Sequence, residues 1–263
     1  MQGYAVLDVL TARPNAAETS AARHELYGHV PPGRPYSTGS WLRDVMALRE
    51  TGAFEGKAPI FTGGTGLYFR ALVEGLSEMP EIPENVRDRW RYELKERGPD
   101  KLHRILRRED PDAALAIRAT DGQRIVRALE VLEHSGRSIL AWQAQRGLPL
   151  IDRGSTTFLC VDPERDVLIR RIERRFDRMI EKGALDEVRA LASLDLDPAL
   201  PAMKAIGVRE LTEVLAGKTS APDAIERAKI ATRQYAKRQA TWFRNQFGPE
   251  WRRLGLPLHG GGS

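Results

Sequence analysis

A chain of 263 residues with 41% apolar and 29% charged side chains can bury a substantial core, and it is composed like a soluble globular protein rather than a disordered one. No apolar run approaches the ~20 residues needed to cross a bilayer. Residues 1–15 lack a leader pattern, and the single Cys160 excludes an intramolecular disulfide or a cysteine-built zinc site, so a cytoplasmic setting is expected. The formal charge is +5, and only 8 of the 41 basic residues are lysine, so arginine carries the excess. Arginine forks two donors onto a phosphate and stacks on bases. A GC-rich genome would give the same bias, so basicity permits a polyanionic partner without requiring one.

Residues 1–36 carry turn signals and short apolar pieces, including Thr11-Ala12-Arg13-Pro14 and Val30-Pro31-Pro32-Gly33-Arg34-Pro35. A helix is predicted from Ser37 to Gly52: Ser37 or Thr38 caps it, Trp41, Leu42, Val45 and Leu48 repeat on one face, and Gly52 ends it. The run Ala58-Pro59-Ile60-Phe61 then reads as a strand that stops at Thr62-Gly63-Gly64-Thr65-Gly66 and passes into a helix from Leu67 to Leu76. Glycines let backbone turn tightly and approach a ligand closely, and a helix start offers unpaired N–H groups to an anion. That is the build of a nucleotide or diphosphate site, yet no Gly-x-x-x-x-Gly-Lys-Ser/Thr loop occurs.

Met79-Pro80-Glu81-Ile82-Pro83-Glu84 is a proline-punctuated joint. From Asn85 to about Arg146 the pattern is almost wholly helical, broken at Gly98-Pro99-Asp100, Glu109-Asp110-Pro111 and Gly136. Thr156 to Val161 is a β-branched and apolar run typical of a buried strand, and Asp162-Pro163-Glu164 after it supplies an N-cap, a first-turn proline and an acid at the positive end of a helix. That helix runs to about Glu181, with Gly183 past its end. A last helix begins at the capping-box sequence Ser220-Ala221-Pro222-Asp223 and reaches about Phe247. The tail, Gly260 to Ser263, is expected to be disordered.

Several clusters invite chemistry, each with a plainer reading beside it. In the helix after Asp162, Leu168, Ile172, Phe176 and Met179 are a core stripe, and Arg171, Arg175, Arg178 and Lys182 form a second row. A solvated face explains Arg178 and Lys182, whereas Arg175 borders the buried face and is placed to reach a site. Ile125, Leu129 and Leu132 form a seam beside Gln123, Arg124 and Arg127, which together suit base edges and phosphates, though an ordinary helix surface looks the same. In the last helix Arg233, Lys237 and Arg244 fall within about 40° on a helical wheel. They are interleaved with Gln239, Thr241, Trp242 and Phe243, a mixture that matches single-strand platforms and also plain packing of the helix on a core. His24 and His29 are five apart, not the four a zinc helix needs, and Cys160 reads as core.

Taken together, the segments closely resemble bacterial tRNA dimethylallyltransferase over essentially all of residues 1–255. The landmarks are Met1-Gln2 with Tyr4, Thr11 to Pro14, His24 to His29, Gly63 to Tyr68, Ala71 to Leu76, Gln123 to Glu130, Ile172 to Phe176, Lys204 to Glu210, Thr232 to Gln239 and Thr241 to Arg244. The resemblance implies an α/β fold: a P-loop NTPase-like parallel sheet core with an all-helical insertion domain. The core would span residues 1–80 and 151–258, the tRNA-contacting insertion 81–150, and the disordered tail 259–263. It implies transfer of a dimethylallyl group from its diphosphate to N6 of the adenosine 3′ of the anticodon, with Mg²⁺ assisting and the adenine flipped from its loop. By resemblance, Arg175 faces the diphosphate, and Thr65, also in a catalytic role, borders the adenosine channel with Gly66. Met1, Gln2, Asp88, Gln123, Arg124, Ile125, Val126, Arg127, Lys204, Gly207, Arg209, Arg233, Lys237, Arg238, Gln239, Thr241, Trp242 and Arg244 would hold the anticodon stem-loop. The protein is expected to act as a monomer, away from membranes.

In that family a phosphate loop comes first, followed by an Asp-Ser-Met-Gln motif whose aspartate is the general base. This chain begins at the Met-Gln of the motif. The resemblance therefore implies a truncated chain, with the loop, its Mg²⁺-coordinating hydroxyl and the base outside it and no metal ligand within it. Three readings follow: an ordinary enzyme whose start is assigned at an internal methionine, a non-catalytic remnant that binds tRNA at most weakly, and a related kinase of small metabolites. The arginine clusters and the long insertion argue against the kinase.

Overall fold

The computed structural model describes residues 1–145 and 147–255 and divides into two compact units, Met1–Tyr68 with Arg153–Ser263, and Phe69–Asp152. The tail expected to be disordered lies outside the described residues. None of the described helices is long and apolar enough to cross a membrane.

In the first unit, α1 (Ala16–Ala21) is closed by a capping box between Asn15 and Glu18, and α2 (Thr38–Glu50) starts at Ser37, whose hydroxyl accepts the Ser40 amide. α3 (Gly66–Glu74) opens on the glycine loop, and the division between units falls within it. The later elements are β1 (Phe158–Val161), α8 (Arg165–Glu181), α9 (Ala184–Ala192), α10 (Val208–Leu215), α11 (Ala221–Gln246) and β2 (Trp251–Leu254); α4 to α7 belong to the second unit. β1 and β2 pair in parallel, Phe158 opposite Trp251 and Val161 opposite Leu254.

Two strand expectations change. Ala58–Phe61 is not a strand: among the described residues nothing pairs with it, Ile60 is 86% exposed, and an unpaired strand leaves its backbone groups without partners. β1 is buried on one face only, with Phe158 and Cys160 inward and Leu159 and Val161 outward. Asp162 does not cap α8; its carboxylate pairs with Arg253 at 2.9 Å, and α8 begins at Arg165 with no side-chain cap. Its buried stripe is Val167, Ile172, Phe176 and Met179, with Leu168 only half-buried. At the start of α11, Ser220 accepts the Asp223 amide as expected, but the Asp223 carboxylate accepts a hydrogen bond from the Ser220 hydroxyl instead of reaching back to the cap amide.

The core of this unit gathers Tyr4, Leu7, Leu10 and Val30 from the N-terminal segment onto Phe176, Val188, Leu191, Val208 and Leu211. That segment has little regular structure, so side chains close its backbone. Glu187 on α9 accepts the amides of Asp8, Val9 and Leu10 at 2.7, 2.6 and 2.9 Å. Gln2 donates to the carbonyls of Thr11 and Ala12, and Arg13 donates to those of Tyr4 and Ala5 while pairing with Asp8. Gly28, at φ 62°, lies against Arg13 so closely that a Cβ would overlap the guanidinium.

The second unit is helical: α4 (Glu84–Glu109), α5 (Pro111–Ala116), α6 (Gly122–Ser135) and α7 (Ile139–Ala144). α4 is two helices joined at Gly98, where φ is 74°, and Asp110 caps α5 through the Ala113 amide with Pro111 at its first position. Gly136, at φ 65°, ends α6. The predicted breaks are therefore present, and a further one lies at residues 117–121. Leu102, Leu106, Ile125, Leu129 and Val131 form its core. Its two ends are tied where Leu150 N–H donates to the Leu72 carbonyl at 2.9 Å.

Glu187→Ala leaves three amides without their anionic acceptor, which should lower the stability of the first unit by about 3 kcal/mol. Glu187→Gln, which keeps one acceptor oxygen, should lose roughly half as much. The urea midpoints of the two variants check both values.

Candidate functional site

The glycine loop is seated on α11. Tyr235, Gln239 and Trp242 lie four and three residues apart and so share one helix face. The Gln239 amide donates to the Gly64 carbonyl at 2.8 Å, and the Thr65 hydroxyl lies 3.5 Å from the Tyr235 hydroxyl. A Cβ at position 64 would overlap the Gln239 amide nitrogen, and one at position 66 would overlap the edge of the Trp242 ring. Both glycines are required here by close approach, since neither has a positive φ. Gln239 is thus a side chain that positions the loop, which its sequence context alone did not disclose.

Aromatic rings wall this loop. Trp41 sits 4.8 Å from Tyr68 and 6.3 Å from Phe61, and Phe61 is 6.2 Å edge-on to Phe54. Burial raises the pKa of the Tyr68 phenol, opposed by its hydrogen bond with Thr38 and aided by nearby Tyr235. Beyond Trp242, Phe243 and Phe247 stack at 4.8 Å.

Lys237, Arg238, Thr241, Trp242, Asn245 and Gln246 line an open recess of about 340 Å³, near the lower end of small-ligand pockets. Lys237 and Arg244 make no ion pair among the described residues, and the Arg238 guanidinium lies 5.7 Å from the Tyr235 ring centre. Arg233 differs from the expectation drawn for it: Glu173 and Glu226 hold its guanidinium at 2.9 Å each, so its charge is already neutralised. Arg175 has no acid partner among the described residues. Its residue surface is largely exposed, yet crowding at the guanidinium lowers its pKa from the free value while leaving it charged.

The remaining expected residues fall into separate groups. Gln2 is occupied by the Thr11 and Ala12 carbonyls through its amide nitrogen, and Met1 is 53% exposed. Lys204 ends a 3₁₀ turn, Ala202–Lys204, and is exposed. Gly207 is buried with φ 98°, and a Cβ there would meet Leu10 at 2.8 Å; its role is to let α10 start against the core. Arg209 pairs with Glu213 at 3.4 Å on the surface. On the helical unit Gln123, Arg124 and Arg127 emerge from α6, with Arg124 paired to Asp121 and Arg127 to Glu130, both at 3.3 Å. Asp88 is exposed and 3.7 Å from Arg91. Ile125 and Val126 are 0% and 6% exposed, so they are corrected to core residues that hold α6 in place and cannot touch a surface ligand.

A group the sequence did not single out is His29, Tyr36 and Asp44. His29 Nε2 lies 3.2 Å from both the Tyr36 hydroxyl and an Asp44 carboxylate oxygen, and that hydroxyl donates to the same oxygen at 2.5 Å. Burial, followed by the hydrogen bond and charge of Asp44, pushes the Tyr36 phenol far up. Burial alone would raise Asp44, but the bonds from Tyr36 and His29 together outweigh it and hold the carboxyl below its usual range. Among the described residues no three histidine, cysteine or acidic side chains converge as a metal-holding group.

Gly66→Ala should force the loop away from Trp242, costing about 1–3 kcal/mol as overpacking does, and shift the Trp242 emission; Trp242→Phe in the same chain should recover part of the loss. Because Asp44 has a depressed pKa when folded, its stabilisation is present above the ordinary carboxylate value near 3.8 and fades as pH falls through the lower folded value. Thermal melts from pH 6 to pH 2 should show a weaker acid-side decline in Asp44→Asn than in the parent.

The model of a family described as IPP transferase matches residues 2–246. A protein of Mesorhizobium japonicum named tRNA dimethylallyltransferase is 68% identical over 254 residues, covering 97% of this chain and 79% of that protein. One of the same name from Rhizobium meliloti is 52% identical over 257 residues, 98% of this chain and 85% of that protein. Among solved structures, a full-length tRNA isopentenylpyrophosphate transferase of Bacillus halodurans superposes with TM-score 0.65 at 30% identity, over 97% of this chain and 78% of that one. A eukaryotic dimethylallyltransferase acting on tRNA gives TM-score 0.80 at 27% identity, over 97% of this chain and 65% of that one.

Proposed function

This chain belongs to the IPP transferase family, and on that footing we propose that it transfers a dimethylallyl group from dimethylallyl diphosphate to N6 of the adenosine 3′ of the tRNA anticodon. The expectation of a small-metabolite kinase falls with the match over residues 2–246. The observation that carries the reading is the loop at Gly64–Gly66 packed on Gln239 and Trp242, with Lys237 and Arg244, which make no ion pair among the described residues, and the recess at Trp242 on the same helix. This sets Thr65 and the edge of the glycine loop beside a helix surface that carries cations and an aromatic ring, the groups that suit an RNA base and its phosphates.

The chemistry follows from the residues. The target adenosine leaves its stack and enters beside Thr65 and Gly66, where an aromatic surface compensates for lost stacking by roughly 1–3 kcal/mol. The N6 lone pair attacks the allylic C1, the C1–O bond breaks, and the diphosphate departs with the bonding electrons. The displaced N6 proton goes to a general base, a role the family gives to the aspartate of its Asp-Ser-Met-Gln motif. Arg175, charged and without an acid partner among the described residues, stabilises the negative charge growing on the leaving group. Lys237, Arg238, Gln239, Thr241, Trp242 and Arg244 hold the loop of the RNA, with Met1, Gln2, Lys204 and Arg209 at its margin. The helical unit, through Asp88, Gln123, Arg124 and Arg127, grips the stem. We propose a monomer working in the cytoplasm, where its RNA is found.

The test is direct. Incubation with unmodified tRNA and labelled dimethylallyl diphosphate should place the label on N6 of one adenosine, read by nucleoside mass spectrometry. Arg175→Ala should lower kcat about 10²-fold, as loss of one charge-stabilising donor does, with little change in KM for tRNA. Absence of label from tRNA under conditions where the chain is folded would overturn the proposal.

A further inference from the structure

α8 and α11 run antiparallel, as two ion pairs show: Glu173 meets Arg233 at 2.9 Å, and four residues on along α8, Asp177 meets Lys229 at 2.6 Å, four residues back along α11. Lys229, Arg233 and Lys237 are successive steps of four on α11. The ladder should continue with an acid on α8 opposite Lys237. The register sets Ile169 there instead, and neither Lys237 nor the adjacent Arg170 makes an ion pair with any described residue.

From that point the basic residues of α8 continue alone. With its core stripe at Ile172, Phe176 and Met179 as reference, Arg170, Arg174, Arg178, Arg171, Lys182 and Arg175 occupy an arc of about 140°. All are exposed, and none makes an ion pair with any described residue. The acids Glu173 and Asp177 are segregated to the flank facing α11 and neutralised there; Glu181, the last residue of α8, is the one acid within the arc. Arg170, Arg174 and Arg178 follow one another at steps of four, about 6 Å apart along the axis. Like charges at that spacing destabilise a helix by a few tenths of a kcal/mol per pair, and no ion pair with a described residue offsets this cost.

We propose that Arg170, Arg174 and Arg178, continuing from Lys237, form a phosphate track that carries the backbone of the same RNA whose base enters beside Trp242. This rests on the reading of an RNA substrate given above, and adds three residues on α8 to the contact. The partner is a ribose-phosphate strand because the track offers forked donors in a row at regular spacing, with no aromatic, amide or carboxylate side chain among its three residues. It should therefore bind without regard to sequence.

The experiment compares the full chain with Arg170→Gln/Arg174→Gln/Arg178→Gln and with a charge-matched control, Arg23→Gln/Arg189→Gln/Lys218→Gln, for binding of an anticodon stem-loop RNA from 50 to 200 mM salt. The track variant should weaken binding about tenfold at 150 mM and reduce the slope of log affinity against log salt by about 2 to 3, equally for stem-loops of different sequence. Its melting temperature should hold or rise, because like charges are removed. The control should keep the parental slope. An unchanged slope in the track variant, or an equal fall in the control, would sink the track while leaving the RNA reading intact. Failure of the parent to bind the stem-loop at all would sink both.

Discussion

The approach of residues 64–66 to α11 is the constraint on which the site depends. The backbone there comes so near Gln239 and Trp242 that no side chain fits at either glycine, and one hydrogen bond, from the Gln239 amide to the Gly64 carbonyl, fixes the separation. Every other feature of the site takes its place from that contact. Tyr235 reaches Thr65 because it lies one turn before Gln239, and the recess opens beside Trp242 because the loop covers one edge of that ring and leaves the rest to Lys237, Arg238 and Asn245. A helix can hold a loop this way only if it is itself well founded, and α11 is anchored by buried Ala224 and Ala228, the Ser220 cap, and the ion pairs to α8.

The N-terminal segment obeys the same rule by another means. It has one short helix and a single bridge, Tyr4 to Val30, so its backbone groups need side-chain partners. Glu187 supplies an anion to three successive amides, Arg13 a cation to two carbonyls, and Gln2 an amide to two more. Polar side chains here act as the framework that a sheet would otherwise provide. This bears on how Gln2 functions. With its amide nitrogen fixed, only its carbonyl oxygen is left to face a ligand.

Much of the site was legible in the sequence, and the limits have physical causes. The glycine run, the helix after it and the basic-aromatic content of the last helix stand out because glycine and helical periodicity are local properties. The breaks at Gly98, Asp110 and Gly136 were readable for the same reason. What failed was pairing across the chain. Ala58–Phe61 has the composition of a strand and lacks a neighbour; Arg233 has the spacing of a phosphate ligand and is held by two acids, one of them sixty residues away. Ile125 and Val126 sit inside a motif whose polar members face outward, and burial divides them from those members. Glu187, Tyr36 and Asp44 left no mark, and His29 drew notice only for a zinc spacing that fails, because nothing in their own neighbourhood discloses the partners they meet across the chain.

The central claim is that an adenosine of an RNA loop lies beside Thr65 and Gly66, at the edge where the glycine loop meets α11. The most direct measurement is photocrosslinking of an anticodon stem-loop that carries a photoreactive adenosine analogue 3′ of the anticodon, with the attached peptides mapped by mass spectrometry. The account predicts attachment within residues 62–68 and 235–246, and its loss when excess unlabelled stem-loop competes. Attachment confined to other segments, with these two untouched, would contradict it.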